Sequence, residues 1–142
     1  MGGEDRWIAV FVLYVCLTTT VAKAQESILH HIPPENSSAG ESVTLIAALF
    51  SDVRVIEAKL FIRETNSLNF TEEELNFSGS TWKFTIQSDR ITQTGLEYAI
   101  IFRLDDGSTL AFPRGDPLKN PYNLAVGPPR KSDRSFGRRE SF

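Results

Sequence analysis

Four groups of side chains in this 142-residue chain could do chemistry: His30-His31, Glu72-Glu73-Glu74, Asp105-Asp106-Gly107-Ser108 and Cys16. A histidine pair suggests a metal ligand set, but neighbours on a strand point to opposite faces, so these two do not chelate one ion together. A structural or catalytic metal also needs roughly three or four convergent ligands, and the sequence offers no such cluster. Asp105, Asp106 and Ser108 present oxygens suited to calcium, which takes about six to eight of them; the same residues make a hairpin turn without an ion. The glutamate triplet reads as a solvated face, since nothing supplies a paired group in a pocket for acid/base work. Nucleophile elbow, Walker-type loop and dinucleotide glycine fingerprint are all missing. The expectation is therefore a protein that is not an enzyme, with no cofactor and no metal site.

Cys16 is the only cysteine, and its position directs attention to the N-terminus. Residues 7–17 form an 11-residue apolar run, followed by three threonines and then Ala22-Lys23-Ala24 ahead of Gln25. Such a run is short of the roughly 20 apolar residues that a membrane-spanning helix requires, and it fits a secretory signal cleaved between Ala24 and Gln25. An uncleaved N-terminal anchor is the rival, favoured by an n-region in which Glu4 and Asp5 outnumber Arg6. The bulky Tyr14-Val15 before Cys16 argues against lipoprotein processing. Cleavage would leave a cysteine-free domain without disulfides, and about 105 residues suffice to bury a core unaided. That absence fits a bacterial secreted or cell-envelope protein, placed in the periplasm, on the outer membrane surface or outside the cell, better than a eukaryotic ectodomain.

Charge separates a body from a tail. The net charge of the chain is −3, and residues 130–142 hold five Arg/Lys against Asp133 and Glu140, a balance of +3. Residues 1–24 are neutral, so residues 25–129 carry −6. An acidic body does not suggest nucleic acid as a partner. Three segments are expected: a signal over 1–24, a folded domain over 25–126, and a Pro/Arg-rich flexible tail or linker over 127–142.

Within the domain, short runs of alternating apolar and polar residues are separated by turn signals, the all-β pattern. Strands are expected over residues 27–32, 42–50, 53–63, 81–86, 96–104 and 108–112. Residues 68–77 form either a short edge strand or a loop with a helical turn. The inward sets are Val43, Leu45, Ala47 and Leu49; Ile56, Ala58, Leu60 and Ile62; Trp82, Phe84 and Ile86; and Leu96, Tyr98, Ile100, Phe102 and Leu104. Period-two alternation of this kind implies one buried and one wet face per sheet. Asp105-Asp106-Gly107 is expected to make a tight primed turn. Six to seven strands at this spacing close as a two-sheet β-sandwich.

The order Pro33-Pro34, Gly40-Glu41-Ser42-Val43-Thr44-Leu45, Ala58-Lys59-Leu60-Phe61-Ile62-Arg63, Trp82-Lys83-Phe84-Thr85-Ile86, Gly95-Leu96-Glu97-Tyr98-Ala99-Ile100 and Asp106-Gly107 resembles the immunoglobulin-like, fibronectin type III-like accessory domains of bacterial secreted and cell-envelope proteins. The resemblance covers residues 27–126. It implies a noncatalytic spacer, docking or binding module, and it implies that Tyr98, two places after Leu96, acts as a tyrosine corner whose hydroxyl anchors a loop. The segment around Asn69-Phe70-Thr71 and Asn76-Phe77-Ser78 departs from the family pattern. No functional residue is carried over.

Recognition has one candidate surface. Outward Phe61 and Arg63, with Ile101 and Arg103 on the outer face of the 96–104 strand, would form an apolar strip rimmed by positive charge, a mark of partner binding. The plainer alternative is cross-strand cover within the sheet. The expected partner is another protein or a neighbouring domain, with a membrane involved only if the signal segment is retained; the oligomeric state stays open. A carbohydrate-binding or adhesin module, or the accessory domain of a larger secreted enzyme, is the alternative function. The first of these needs exposed aromatic rings, and Trp82 is the main candidate. Asn36, Asn69 and Asn76 head glycosylation acceptor sequences, relevant only in a eukaryotic secretory pathway.

Overall fold

The computed structural model describes residues 26–130. Residues 1–25, with Cys16 and the expected Ala24/Gln25 cleavage junction, lie outside the described residues, as do residues 131–142. Alternation in the sequence becomes strand after strand: β1 (Ile28–His31), β2 (Ser37–Ser38), β3 (Val43–Phe50), β4 (Val55–Glu64), β5 (Thr71–Glu74), β6 (Asn76–Ser78), β7 (Thr81–Ile86), β8 (Leu96–Leu104), β9 (Thr109–Phe112), β10 (Tyr122–Leu124) and β11 (Val126–Gly127). The one helical piece among the described residues is a 3-10 turn over Ser88–Arg90.

Two antiparallel sheets form the sandwich, a first of order β1-β3-β7-β6 and a second of order β10-β8-β4-β5, with β9 also pairing β8. A two-residue parallel pairing of β2 with β11 closes one end. Val43, Leu45, Ala47 and Ile86 of the first sheet meet Ala58, Leu60, Ile62, Leu96, Tyr98, Ile100 and Phe102 of the second in one buried cluster. Each strand places alternate side chains there because its pleat sends them to one face.

The structure adds strands to the expected six or seven, and it explains the segment that alternation left unassigned. β5 pairs β4 in the second sheet and β6 pairs β7 in the first, so the chain changes sheets at Leu75. Leu75 is buried at the crossing and its N–H donates to the Ala58 carbonyl. A triplet of glutamates followed by one leucine gave no period to read, because the crossing itself resets the alternation.

Ile56, expected inward, is 48 % exposed. A register shift in the β4–β8 ladder pairs Val55 with Leu104 and Glu57 with Arg103, leaving Ile56 as the extra residue of a bulge. The bulge reverses the facing of the side chains before it, so Val55 packs on the core in the place that alternation assigned to Ile56. The turn after β8 also differs from expectation. Gly107 alone has positive φ, and bonds from Leu104 N–H to Ser108 C=O and from Gly107 N–H to Leu104 C=O enclose a three-residue loop. Asp106 need not leave the right-handed region in such a loop, so a primed turn is not required. The sandwich reaches Gly127 through β11, one residue into the segment assigned to the tail.

Gly95 is the glycine on which packing depends. Its φ is +84°, and a Cβ there would sit 3.1 Å from Thr65 Oγ1 and 3.2 Å from the Leu124 carbonyl oxygen. Gly107 has a similar φ of +83° with open space around it. Gly107→Ala is therefore expected to cost about 1 kcal/mol from backbone strain alone, and Gly95→Ala about 2–3 kcal/mol because close contact adds to it. Urea unfolding of both variants checks the ordering.

Candidate functional site

His31 is the buried member of the histidine pair, while His30 on the same strand faces solvent. The His31 ring lies in the core, where Nδ1 donates to the Ile46 carbonyl at 2.6 Å and Nε2 lies 2.8 Å from the Tyr98 hydroxyl. A carbonyl only accepts, so Nδ1 carries the proton and neutral Nε2 accepts from the phenol. Phe112 stands edge-on to the imidazole at 4.7 Å between centroids. Burial pushes the imidazole below its ordinary 6.5, against the opposing pull of the Ile46 carbonyl. Burial, with Tyr122 nearby, raises the Tyr98 phenol well above its ordinary 10. The expected tyrosine corner is thus replaced by a bond across the sandwich: the Tyr98 hydroxyl reaches an imidazole on the opposite sheet rather than a loop backbone.

The carboxylates of the β8–β9 turn are committed to local contacts. Asp106 accepts from the Ser108 backbone N–H at 2.9 Å and from its hydroxyl at 2.6 Å, which holds the carboxyl below its usual range. Asp105 pairs with Arg54 at 3.2 Å. In the glutamate triplet, Glu72 pairs with Lys59 and Glu73 with Arg90. Among the described residues, no group of three or more His, Cys, Asp and Glu side chains is arranged to hold a metal ion, and no helix is long and apolar enough to cross a membrane.

Phe61, Arg63, Ile101 and Arg103 do share the outer face of the second sheet, because β4 and β8 are neighbours. Their surroundings differ from those expected. Phe61 lies opposite Ala99 and Glu72, and Ile101 opposite Lys59 and Ala111, so the two apolar side chains are diagonal neighbours. Ile101 helps line a cleft of about 520 Å³ with Leu110 and Leu118, apart from Phe61. The cations are matched by carboxylates: Arg63 with Glu97 at 2.7 Å, Arg103 with Glu57 at 3.2 Å, and Lys59 with both Glu57 and Glu72. The Arg63 guanidinium also lies 4.2 Å over the Phe70 ring. The rim of positive charge is therefore neutralised where it stands.

Trp82 faces inward as its alternation implies, edge-on to Phe102 at 5.4 Å and against Phe77 at 4.8 Å. Asn36, Asn69 and Asn76 are all exposed.

A second surface, on the opposite side of the sandwich, was not singled out from the sequence. Ile28, Ile46 and Phe50 are 48 %, 46 % and 64 % exposed on the outer face of the first sheet, and Ile32 just beyond β1 is 71 % exposed. Register puts Ile28 opposite Phe50 and His30 opposite Ala48, so β1 and β3 merge their outward side chains into one apolar area. A groove of about 340 Å³ runs through it between His30, Ile32, Pro34, Thr44, Ile46 and Ala48. The signal was present in the wet phase of each strand: Ile28 and Ile32 in one, Ile46, Ala48 and Phe50 in the other.

These features define an all-β sandwich with two unlike outer faces, one charged and internally paired, the other apolar. Neither a protein-family model nor a curated protein matches the chain.

Proposed function

We propose that this protein is a noncatalytic interaction module of secreted or envelope-exposed character, and that it docks through the outer face of its first sheet. The observation that carries the reading is the contiguous exposure of Ile28, Ile32, Ile46 and Phe50, since large apolar patches on a folded protein mark contact sites. The reactive side chains support it from the other direction, being used for structure: His31 joins two sheets and Asp106 fixes a turn. The immunoglobulin-like, fibronectin type III-like reading rests on the order of motifs from Pro33-Pro34 to Asp106-Gly107 in the sequence; the two antiparallel sheets are compatible with it and are shared by many other β-sandwiches. Destination rests on residues 1–24, whose signal character predicts a mature N-terminus at Gln25; N-terminal sequencing of the exported protein checks this.

The docking test immobilises the full chain and passes the native envelope fraction over it. An Ile46→Asp/Phe50→Asp variant is expected to retain partners at least tenfold less well than wild type, and Phe61→Glu on the second sheet to match wild type. Equal retention by all three would sink the first-sheet reading. A glycan array addresses the carbohydrate alternative, for which exposed Phe77, packed on the largely covered Trp82 at the β6–β7 edge, is the available platform.

A further inference from the structure

The groove between β1 and β3 lies beside the point where the described residues end. After β11 the backbone runs with β2, where the Ala39 N–H donates to the Gly127 carbonyl, and the Arg130 guanidinium lies 3.7 Å from Glu41, just before Thr44 of the groove wall. Residues 131–142 therefore start at one end of the apolar face. Their sequence, Lys131-Ser132-Asp133-Arg134-Ser135-Phe136-Gly137-Arg138-Arg139-Glu140-Ser141-Phe142, sets an aromatic ring between cations. Resting on the docking function proposed above, we infer that this face is covered by the chain's own tail, with Phe136 in the groove, and that an outside partner must displace it.

Length, charge and area each fit this occupant. Phe136 stands six residues beyond Arg130, a reach of about 20 Å for extended chain, and the face from Thr44 to Phe50 is about 20 Å long. Carboxylates stand at both ends of that face: Glu35 and Glu41 near Pro34 and Thr44, Glu26 and Asp52 near Ile28 and Phe50. Glu26, Glu35 and Asp52 have no ion pair among the described residues. An extended tail entering at Glu41 brings Lys131 and Arg134 toward the first pair and Arg138 and Arg139 toward the second, with Phe136 over the apolar middle. Lys83 is opposite Ile46 on β7 and borders the face on the side away from the groove, whose walls come from β1, β3 and the residues just after β1. Strands of 4 and 8 residues present less area than the roughly 800 Å² that each partner of a standard interface buries. That area suits a tethered segment, whose effective concentration through a short linker is on the order of mM.

Proton–nitrogen NMR of the full chain, wild type against Phe136→Ser, reads the contact directly. The substitution is expected to shift the amide signals of Ile28 to Ile32 and Thr44 to Phe50, and to leave those of Lys59 to Arg63 and Ala99 to Arg103 on the second sheet unchanged. Unmoved first-sheet signals, or equal movement on both sheets, overturn the proposal. The native envelope fraction supplies the second readout: with the face uncovered, Phe136→Ser is expected to retain partners about threefold better than wild type or more, since apparent affinity scales with the fraction of chains whose face is free. First-sheet shifts with equal retention by wild type and Phe136→Ser overturn the competition between tail and partner. Shifts without any retention that depends on Ile46 and Phe50 leave the tail contact standing and sink docking to an outside partner. Retention that depends on Ile46 and Phe50 without shifts overturns the tail and leaves docking through this face in place.

Discussion

Phe102→Ala is expected to lower the free energy of unfolding by about 3–5 kcal/mol, the range for removing a buried phenyl ring. Phe102 is fully buried on β8, paired with Ala58 on one side and Leu110 on the other, and its ring meets Trp82 from the opposite sheet. Truncation therefore opens a cavity where the two sheets touch, and small neighbours such as Ala58 do little to refill it. A domain of this size has about 5–15 kcal/mol in total, so the variant should be marginal. Urea unfolding followed by Trp82 fluorescence should show a lower midpoint with an unchanged slope. The matched change Phe61→Ala, on the outer face of the same sheet, should cost about 1 kcal/mol or less. Equal costs at the two sites would contradict the facing of β4 and β8.

Acid should weaken the fold through His31. Its imidazole is held below its ordinary 6.5 in the folded protein, so the unfolded chain takes up a proton that the folded chain resists. Stability is then fully present above pH 6.5, falls as pH drops below it, and levels off once the folded imidazole also protonates. Loss begins at higher pH than the carboxylates can explain, because they titrate mostly below about pH 5. His31→Gln should remove the slope that begins near pH 6.5; an unchanged slope would place its origin elsewhere. Tyr98→Phe tests the same pair from the other side. It deletes the donor to Nε2, leaves a buried acceptor unpaired, and should cost about 1–3 kcal/mol. If the phenylalanine variant is as stable as wild type, the hydroxyl–imidazole bond contributes nothing net.

The strand faces were largely legible from the residues. Val43, Leu45 and Ala47 are inward as their alternation implies, as are Leu96, Tyr98, Ile100, Phe102 and Leu104. Where one residue is inserted, alternation misled: the bulge at Ile56 exchanged its place with Val55. The candidate strip shows the other kind of limit. Phe61, Arg63, Ile101 and Arg103 lie on one outer face, yet the two arginines are neutralised by Glu97 and Glu57, and only the register of β4 against β8 reveals that.

Composition and period-two patterning thus determined the all-β class and the inward side of most strands, because each depends on residues within one strand length. Only the tertiary structure decided that the chain changes sheets at Leu75, that His31 meets a tyrosine 67 positions away, and that Ile28 of β1 and Ile32 just beyond it adjoin Phe50 and Ile46. Strand order and register bring together residues distant in sequence, and a local pattern holds no information about which distant strand will lie beside it.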